Sequence, residues 1–523
     1  MQGSITWSAG SGSEKSVSER PKSFAGLFTT GRGAADPRMS ESRVMFREMR
    51  PAGEADAHWW SAVDAESGAR RVLGVNPHLV LAASAIVVLA AEYNRGSATY
   101  GHPGMAQVEA AASSAALLFA WLERGRVRLL PLLLLAGLFQ LGWIAVHLKL
   151  GVPADVDSHA VYPAQGNALL AGHFPASEYP PGAVVLFALD AWIGSGATEI
   201  SHEFVMIPFQ LATVIGVWEL RTRWSPWFAA IVALWPANSF FAENKYDFAP
   251  TAFLVLGLVL ALRERWALAG VLLGLGAWLK WTPALAGVTL VIWLLASGRC
   301  RAARVHALAL AGSFLLLNLP FFLLSPGNVL AAYNKQADRG ITAESVFYLP
   351  LHLLGVAEQG SGIWAEAAVP HWANGAAIVA QALILVGVFA SVRARTTLQK
   401  AVTLAAIAPA AFLLSNRIYS PQFAIPLLAT WSIAGSLLTR NAYQQLAIGT
   451  LALAATLVNS LIYPASIHPF VAWSAVFFLF AFSATAWAFL RARQTEPSES
   501  VPPPSRGAVR PKEHRLHRNR PLR

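Results

Sequence analysis

Acids and cations able to support group-transfer chemistry recur in this chain beside long apolar runs: Asp155 and Asp157, Glu178, Glu243-Asn244-Lys245-Tyr246-Asp247, Lys280, Asp338-Arg339 with Glu344, and Asn416-Arg417. Ionisable residues in or next to a membrane span are costly, so their clustering on one side is a functional hint. A carboxylate can take the proton of an acceptor hydroxyl, and neighbouring Lys and Arg can hold the phosphate of an anionic donor as it leaves. Taken singly, each residue has a plainer role. Asp155 and Asp157 can be loop carboxylates ending a helix, Lys280 can snorkel, and Arg417 can anchor at an interface. Lys245 and Asp247 can pair locally, and Glu178 can sit in the turn before Pro180-Pro181. Their company is what favours a site.

Membrane helices have to hold these residues in place. Of 523 residues, 55% are hydrophobic and 13% charged, with mean hydropathy +0.45, about half the charge density of a soluble protein. The charge is also segregated. Residues 1–75 hold 10 basic and 9 acidic residues and 491–523 hold 9 and 3, leaving 21 and 17 for the 415 between. Three domains follow: a Gly-, Ser- and charge-rich segment at 1–75 expected to be disordered and cytoplasmic, a transmembrane domain at 76–490, and a basic disordered cytoplasmic tail at 491–523. No secretory-signal pattern is expected in the first 75 residues. The tail supplies +6 of the net +11, so the basic balance reads as a flank facing anionic lipid rather than nucleic-acid binding.

About 13–15 apolar segments are expected: near 77–93, 105–122, 129–149, 181–196, 204–219, 225–241, 247–262, 266–281, 283–297, 305–325, 372–392, 400–415, 421–438, 445–463 and 469–490. The fold class is therefore all-α, a polytopic transmembrane helix bundle with long external loops. Basic clusters at Arg124/Arg126/Arg128, Arg221/Arg223, Arg263/Arg265, Arg299/Arg301/Arg304, Arg393/Arg395/Lys400, Arg440 and the tail belong inside. By alternation 150–180, 242–246, 282, 326–371, 416–420 and 464–468 are outside. Two apolar segments between 181 and 219 break the alternation, so one is re-entrant or the charge rule fails there.

Asp157-Ser158-His159-Ala160-Val161-Tyr162, then Glu178-Tyr179-Pro180-Pro181-Gly182, resembles the first external loop of GT-C glycosyltransferases. Lys245-Tyr246-Asp247, Gly274-Leu275-Gly276-Ala277-Trp278-Leu279-Lys280, Arg339-Gly340 with Glu344-Ser345, and Asn416-Arg417-Ile418-Tyr419-Ser420-Pro421-Gln422-Phe423 are similar, in order, to the later motifs of glycosyltransferase family 87. The resemblance covers roughly 129–490. It implies a GT-C-like enzyme of the plasma membrane that moves a hexose, mannose above others, from a polyprenyl-phosphate donor to a glycolipid or glycan acceptor on the extracytoplasmic side. Asp157 would be the base, with Asp155 as the alternative, because one residue more separates Asp157 from Tyr162 than the family spacing has. Lys280, Arg339 and Arg417 would hold the donor phosphate. Glu178, Tyr179, Lys245, Asp247 and Glu344 would shape the pocket. The family's aromatic after the loop Gly and Pro is replaced by Ala176.

Other classes are less well served. A transporter or flippase of a lipid-linked sugar wants charges near the midplane and short, even loops, and an inactive scaffold would not need Asp157 with three cations. The 13 scattered histidines and single Cys300 offer no metal-ligand spacing. No cofactor is expected, and the partners are membrane lipids, the lipid-linked donor and the acceptor.

Overall fold

Apolar length decides most of the elements. The computed structural model describes residues 74–95, 103–150, 157–194, 198–358, 366–463 and 470–494; nearly all of the expected N-terminal segment and basic tail, and Asp155, lie outside them. Among the described residues, eight helices are long and apolar enough to cross a membrane, and seven shorter apolar helices accompany them. These correspond to the segments expected from hydropathy. No strand forms among the described residues; two isolated bridges, Thr342 with Glu366 and Glu358 with Ala368, are the only extended pairings there.

Three helices open the bundle: α1 (Pro77–Arg95), α2 (Pro103–Leu122) and α3 (Leu129–Leu150). A π-helical turn, Asp157–Val161, then runs into α4 (Tyr162–Leu170), and α5 (Pro181–Gly194) packs back on it. The approach is close: a Cβ on Gly166 would lie 2.2 Å from the Phe187 carbonyl oxygen, so only glycine fits. α6 (Thr198–Trp218) follows. The segment expected as one span at 225–241 is two helices, α7 (Ser225–Leu234) and α8 (Pro236–Asn244). Trp235 between them is extended (φ −76, ψ 117), as a residue before proline tends to be, and Pro236 is tolerated at the first helical position because its missing N–H would be unpaired there anyway.

The core is built from α9 (Phe248–Leu262), α10 (Trp266–Leu279) and α11 (Pro283–Ala296), then α12 (Cys300–Leu324) at the rim. α10 and α12 approach closely because Gly270 and Gly274 face the α12 backbone; a Cβ there would stand 2.5 Å from His306 O and 2.6 Å from Leu310 O. The expected external loop 326–371 contains α13 (Pro326–Asp338) and α14 (Tyr348–Leu353). α15 (His371–Ala390) lies at the rim, α16 (Leu398–Leu414) and α17 (Ala424–Leu438) in the interior, and α18 (Ala442–Ile462) and α19 (Phe470–Arg493) close the bundle. α17 is 83% buried over its span and α12 only 6%. The rim exposes Leu308, Leu315, Leu316 and Leu323, a surface suited to lipid rather than water.

The bundle has two distinguishable ends. At one, Arg223 donates to the Arg440 carbonyl (3.0 Å), and its neighbour Trp224 donates to that of Thr439 (3.2 Å). α17 runs from there to Phe423, which faces Lys280 at the other end. This settles the ambiguity at 181–219. α6 starts near Tyr162, where His202 meets that ring, and finishes near Arg221, so it joins the two ends. α5 does not: Gly182 lies against the Trp278 backbone, Phe187 against the rings of Tyr162 and Tyr246, and Asp190 pairs with His202 at 2.7 Å. Its outer face, with Leu189, Trp192 and Ile193 exposed, covers one end of the bundle.

Candidate active site

The segment Lys245-Tyr246-Asp247, between α8 and α9, sends its two charges to different partners. Lys245 is extended (φ −136, ψ 146), and its Nζ donates to Asp157 Oδ2 at 2.5 Å. Asp247, at the head of α9, accepts at Oδ1 from Lys280 Nζ at 2.6 Å. Lys280 is itself an extended break (φ −157, ψ 117) between α10 and α11, which lets its side chain leave the helix axis. Lys245 and Asp247 are 1% exposed, whereas the side chains of their partners Asp157 and Lys280 are 21% and 18% exposed. Each pair thus joins a buried member to one that opens outward.

The π turn is gripped a second time, since Ser158 Oγ donates to Asn244 Oδ1 (2.8 Å). An extra residue in a helical turn widens it and re-aims its side chains, and this turn carries Asp157 over the Lys245 ammonium.

Aromatic rings wall the site. Tyr162 stacks on Phe187 with centroids 4.0 Å apart, and Tyr179 and Tyr246 meet Tyr162 edge-on at 5.6 and 6.0 Å. Burial, followed by neighbouring tyrosines and carboxylates including Asp157, pushes the Tyr162 phenol well above its usual range. Tyr179 and Tyr246 are pushed up by burial first, then by Asp157 and Glu178 on the first and Asp247 above all on the second. All three stay neutral at ordinary pH and keep a hydroxyl donor. The Lys280 ammonium lies 4.6 Å from the Phe423 ring centre and 5.4 Å from that of Tyr246, within the range of a cation–π attraction. Asp247 and Lys280 also line a cavity with Thr282, Pro283, Leu413 and Pro426. Asp247 Oδ2 is buried with no hydrogen-bond partner among the described residues, so it retains acceptor capacity toward whatever enters.

The remaining expected residues fall around this centre. Glu178 pairs loosely with Lys335 of α13 (3.9 Å), and its neighbour Tyr179 is held by Ser177, whose Oγ accepts from the Tyr179 N–H (2.9 Å). The turn holding buried Glu344 is tied to that holding buried Arg417: the Thr342 N–H donates to Arg417 O (2.9 Å) and the Tyr419 N–H to Thr342 Oγ1 (3.2 Å). Arg339 is half-buried and has no side-chain partner among the described residues. Tyr419 and Phe423, whose rings meet edge-on at 5.8 Å, connect the Arg417 turn to Lys280. Ser158 and Phe423 belong to sequence motifs that give them no individual role. Tyr162 and Tyr246 stood inside quoted motifs without a role of their own.

Fold and site together define a polytopic helical membrane protein with buried acid–lysine pairs at one end of its bundle. Residues 178–416 match the model of glycosyltransferase family 87, a match consistent with a GT-C-like family 87 enzyme and indicating a membrane glycosyltransferase. The matched span contains Glu178, Lys245, Asp247, Lys280, Arg339 and Glu344; the Asp157 turn precedes it, and Arg417 follows by one residue. No curated protein matches the chain.

Proposed function

We propose that this membrane glycosyltransferase moves a hexose, specifically mannose, from a polyprenyl-phosphate donor to a glycolipid or glycan acceptor at the extracytoplasmic face of the plasma membrane. The observation that carries this reading is the double pairing about Tyr246, which gathers Asp157, Lys245, Asp247 and Lys280 at one end of the bundle. In the reaction, the acceptor oxygen bonds to the anomeric carbon as the bond from that carbon to the donor phosphate oxygen breaks. The acceptor proton passes to a carboxylate, and polyprenyl phosphate departs as an anion. Asp157, the more exposed partner of its pair, is the base, and Asp155 is the alternative. Lys280 uses one of its three donors on Asp247; the others, with Arg339 and Arg417, hold the departing phosphate. Lys245 positions Asp157. Asp247 orients Lys280, while Tyr179, Glu178 and Glu344 bound the pocket. A phosphate leaving group held by cations requires no cofactor.

The test is incubation of the purified protein with labelled polyprenyl-phosphate mannose and a membrane extract. Labelled glycolipid or glycan should appear with one polyprenyl phosphate released per sugar. Passage of the intact labelled lipid across a proteoliposome bilayer without product would instead identify a flippase.

A further inference from the structure

At the end of the bundle opposite the acid–lysine pairs, two guanidinium groups share one indole. Arg223 Cζ lies 4.3 Å and Arg124 Cζ 4.7 Å from the Trp224 ring centre, and Arg124 also lies 5.5 Å from that of Trp121. Both indoles are fixed, Trp224 by its bond to Thr439 O and Trp121 by Nε1 donating to Gln445 Oε1 (2.8 Å). Each arginine spends one donor on backbone, Arg124 on Trp121 O (2.8 Å) and Arg223 on Arg440 O (3.0 Å). A guanidinium has five donors, so most remain for a ligand.

Several arginines at this end are neutralised by a carboxylate. Arg126 has Glu123, Arg221 and Arg263 share Glu219, and Arg299 has Glu264. Among the described residues Arg124 and Arg223 have no carboxylate partner. Two like charges about one ring repel, and burial and then the Arg223 charge lower the Arg124 pKa. Cation–π attraction offsets part of that repulsion, and an anion between the forks would remove it.

We propose that Arg124 and Arg223, set about Trp224, bind the phosphate of an anionic lipid headgroup. The surroundings favour a lipid over free phosphate. The pair stands at the ends of the apolar helices α2 and α7, where Trp and Arg meet headgroups. Leu118 and Leu122, on the last turns of α2, are 47% and 37% exposed and offer an acyl chain a surface leading away from Arg124. The site is separate from any donor site, because α17 lies between it and Lys280.

The experiment compares delipidated protein titrated with dihexanoyl phosphatidylglycerol, dihexanoyl phosphatidylcholine or inorganic phosphate, with bound molecules counted by native mass spectrometry. Phosphatidylglycerol should bind at least ~10-fold more tightly than the other two, and Arg223→Gln should abolish the preference. Arg223 is exposed, so the variant should fold. Arg126→Gln, which removes a cation already paired with Glu123, should keep the preference. Equal retention of phosphatidylglycerol by Arg223→Gln would overturn the site. Equal affinity for inorganic phosphate would overturn the lipid assignment.

Discussion

Lys280 sits between the Asp247 carboxylate and two aromatic faces, and removing it leaves a buried acid without its partner. Breaking such a pair costs about 3–5 kcal/mol, whereas replacing both members by apolar residues is often neutral. Lys280→Met should therefore lower thermal stability, Asp247→Leu with Lys280→Met should restore much of it, and neither should transfer sugar. Full transfer by the double variant would remove the pair from the chemistry. Arg417→Ala should raise the donor KM by the loss of a charge-assisted contact, on the order of 1.5–3 kcal/mol; an unchanged donor KM would leave Arg417 as an anchor. The phenols give a pH sign. Tyr162, Tyr179 and Tyr246 are raised above the ordinary value of 10.0, so their stabilising contribution is complete below pH 10 and declines as pH climbs toward their folded values. Unfolding midpoints of wild type and Tyr246→Phe between pH 8 and 11 should show a shallower alkaline loss in the variant. Every charge in the two pairs could be read from the sequence as a candidate. Their pairing could not, because the partners are 88 and 33 residues apart and neither helical nor turn periodicity joins such positions.

Among the elements, the contact of α4 with α5 carries the Asp157 turn, and it depends on Gly166. Gly166→Ala places a methyl against the Phe187 backbone, which cannot rotate away, so it should destabilise the protein and reduce turnover. Gly137→Ala on α3, where a Cβ meets nothing within 4 Å, should be neutral or stabilising by about 0.5–1 kcal/mol; calorimetric midpoints of the two variants check the contrast. Hydropathy located the apolar helices because burial in lipid leaves a one-dimensional trace. It missed α4 and α13, whose residues mix Asn, Gln and Lys with apolar positions, and it read through the break at Trp235-Pro236. It also could not say which of α5 and α6 joins the two ends. Both are apolar, and the difference lies in partners far along the chain: Trp278 and Tyr246 for α5, and for α6 the Arg221 turn beside Arg223 and Arg440.

For the whole molecule, the placement of acid–lysine pairs at one end and unpaired arginines at the other gives the proposed sidedness a direct consequence. The single cysteine, Cys300, is exposed at the arginine end, next to the Arg299–Glu264 pair. A membrane-impermeant maleimide applied to intact cells should spare Cys300 and should label His173→Cys, an exposed position after α4, in a Cys300→Ser background. Labelling of native Cys300 from outside would invert the topology. In the proposed reaction a carboxylate in the Asp157 turn takes the acceptor's proton while cations hold the departing phosphate. A positioned base contributes ~10²- to 10⁴-fold, and Asp157→Asn keeps the shape while removing the base. The most direct measurement is the initial rate of mannosyl transfer by Asp157→Asn at saturating donor. It should fall at least ~100-fold with donor affinity largely kept, with Asp155→Asn milder; near wild-type transfer by the Asp155→Asn and Asp157→Asn double variant would rule out a carboxylate base in this turn.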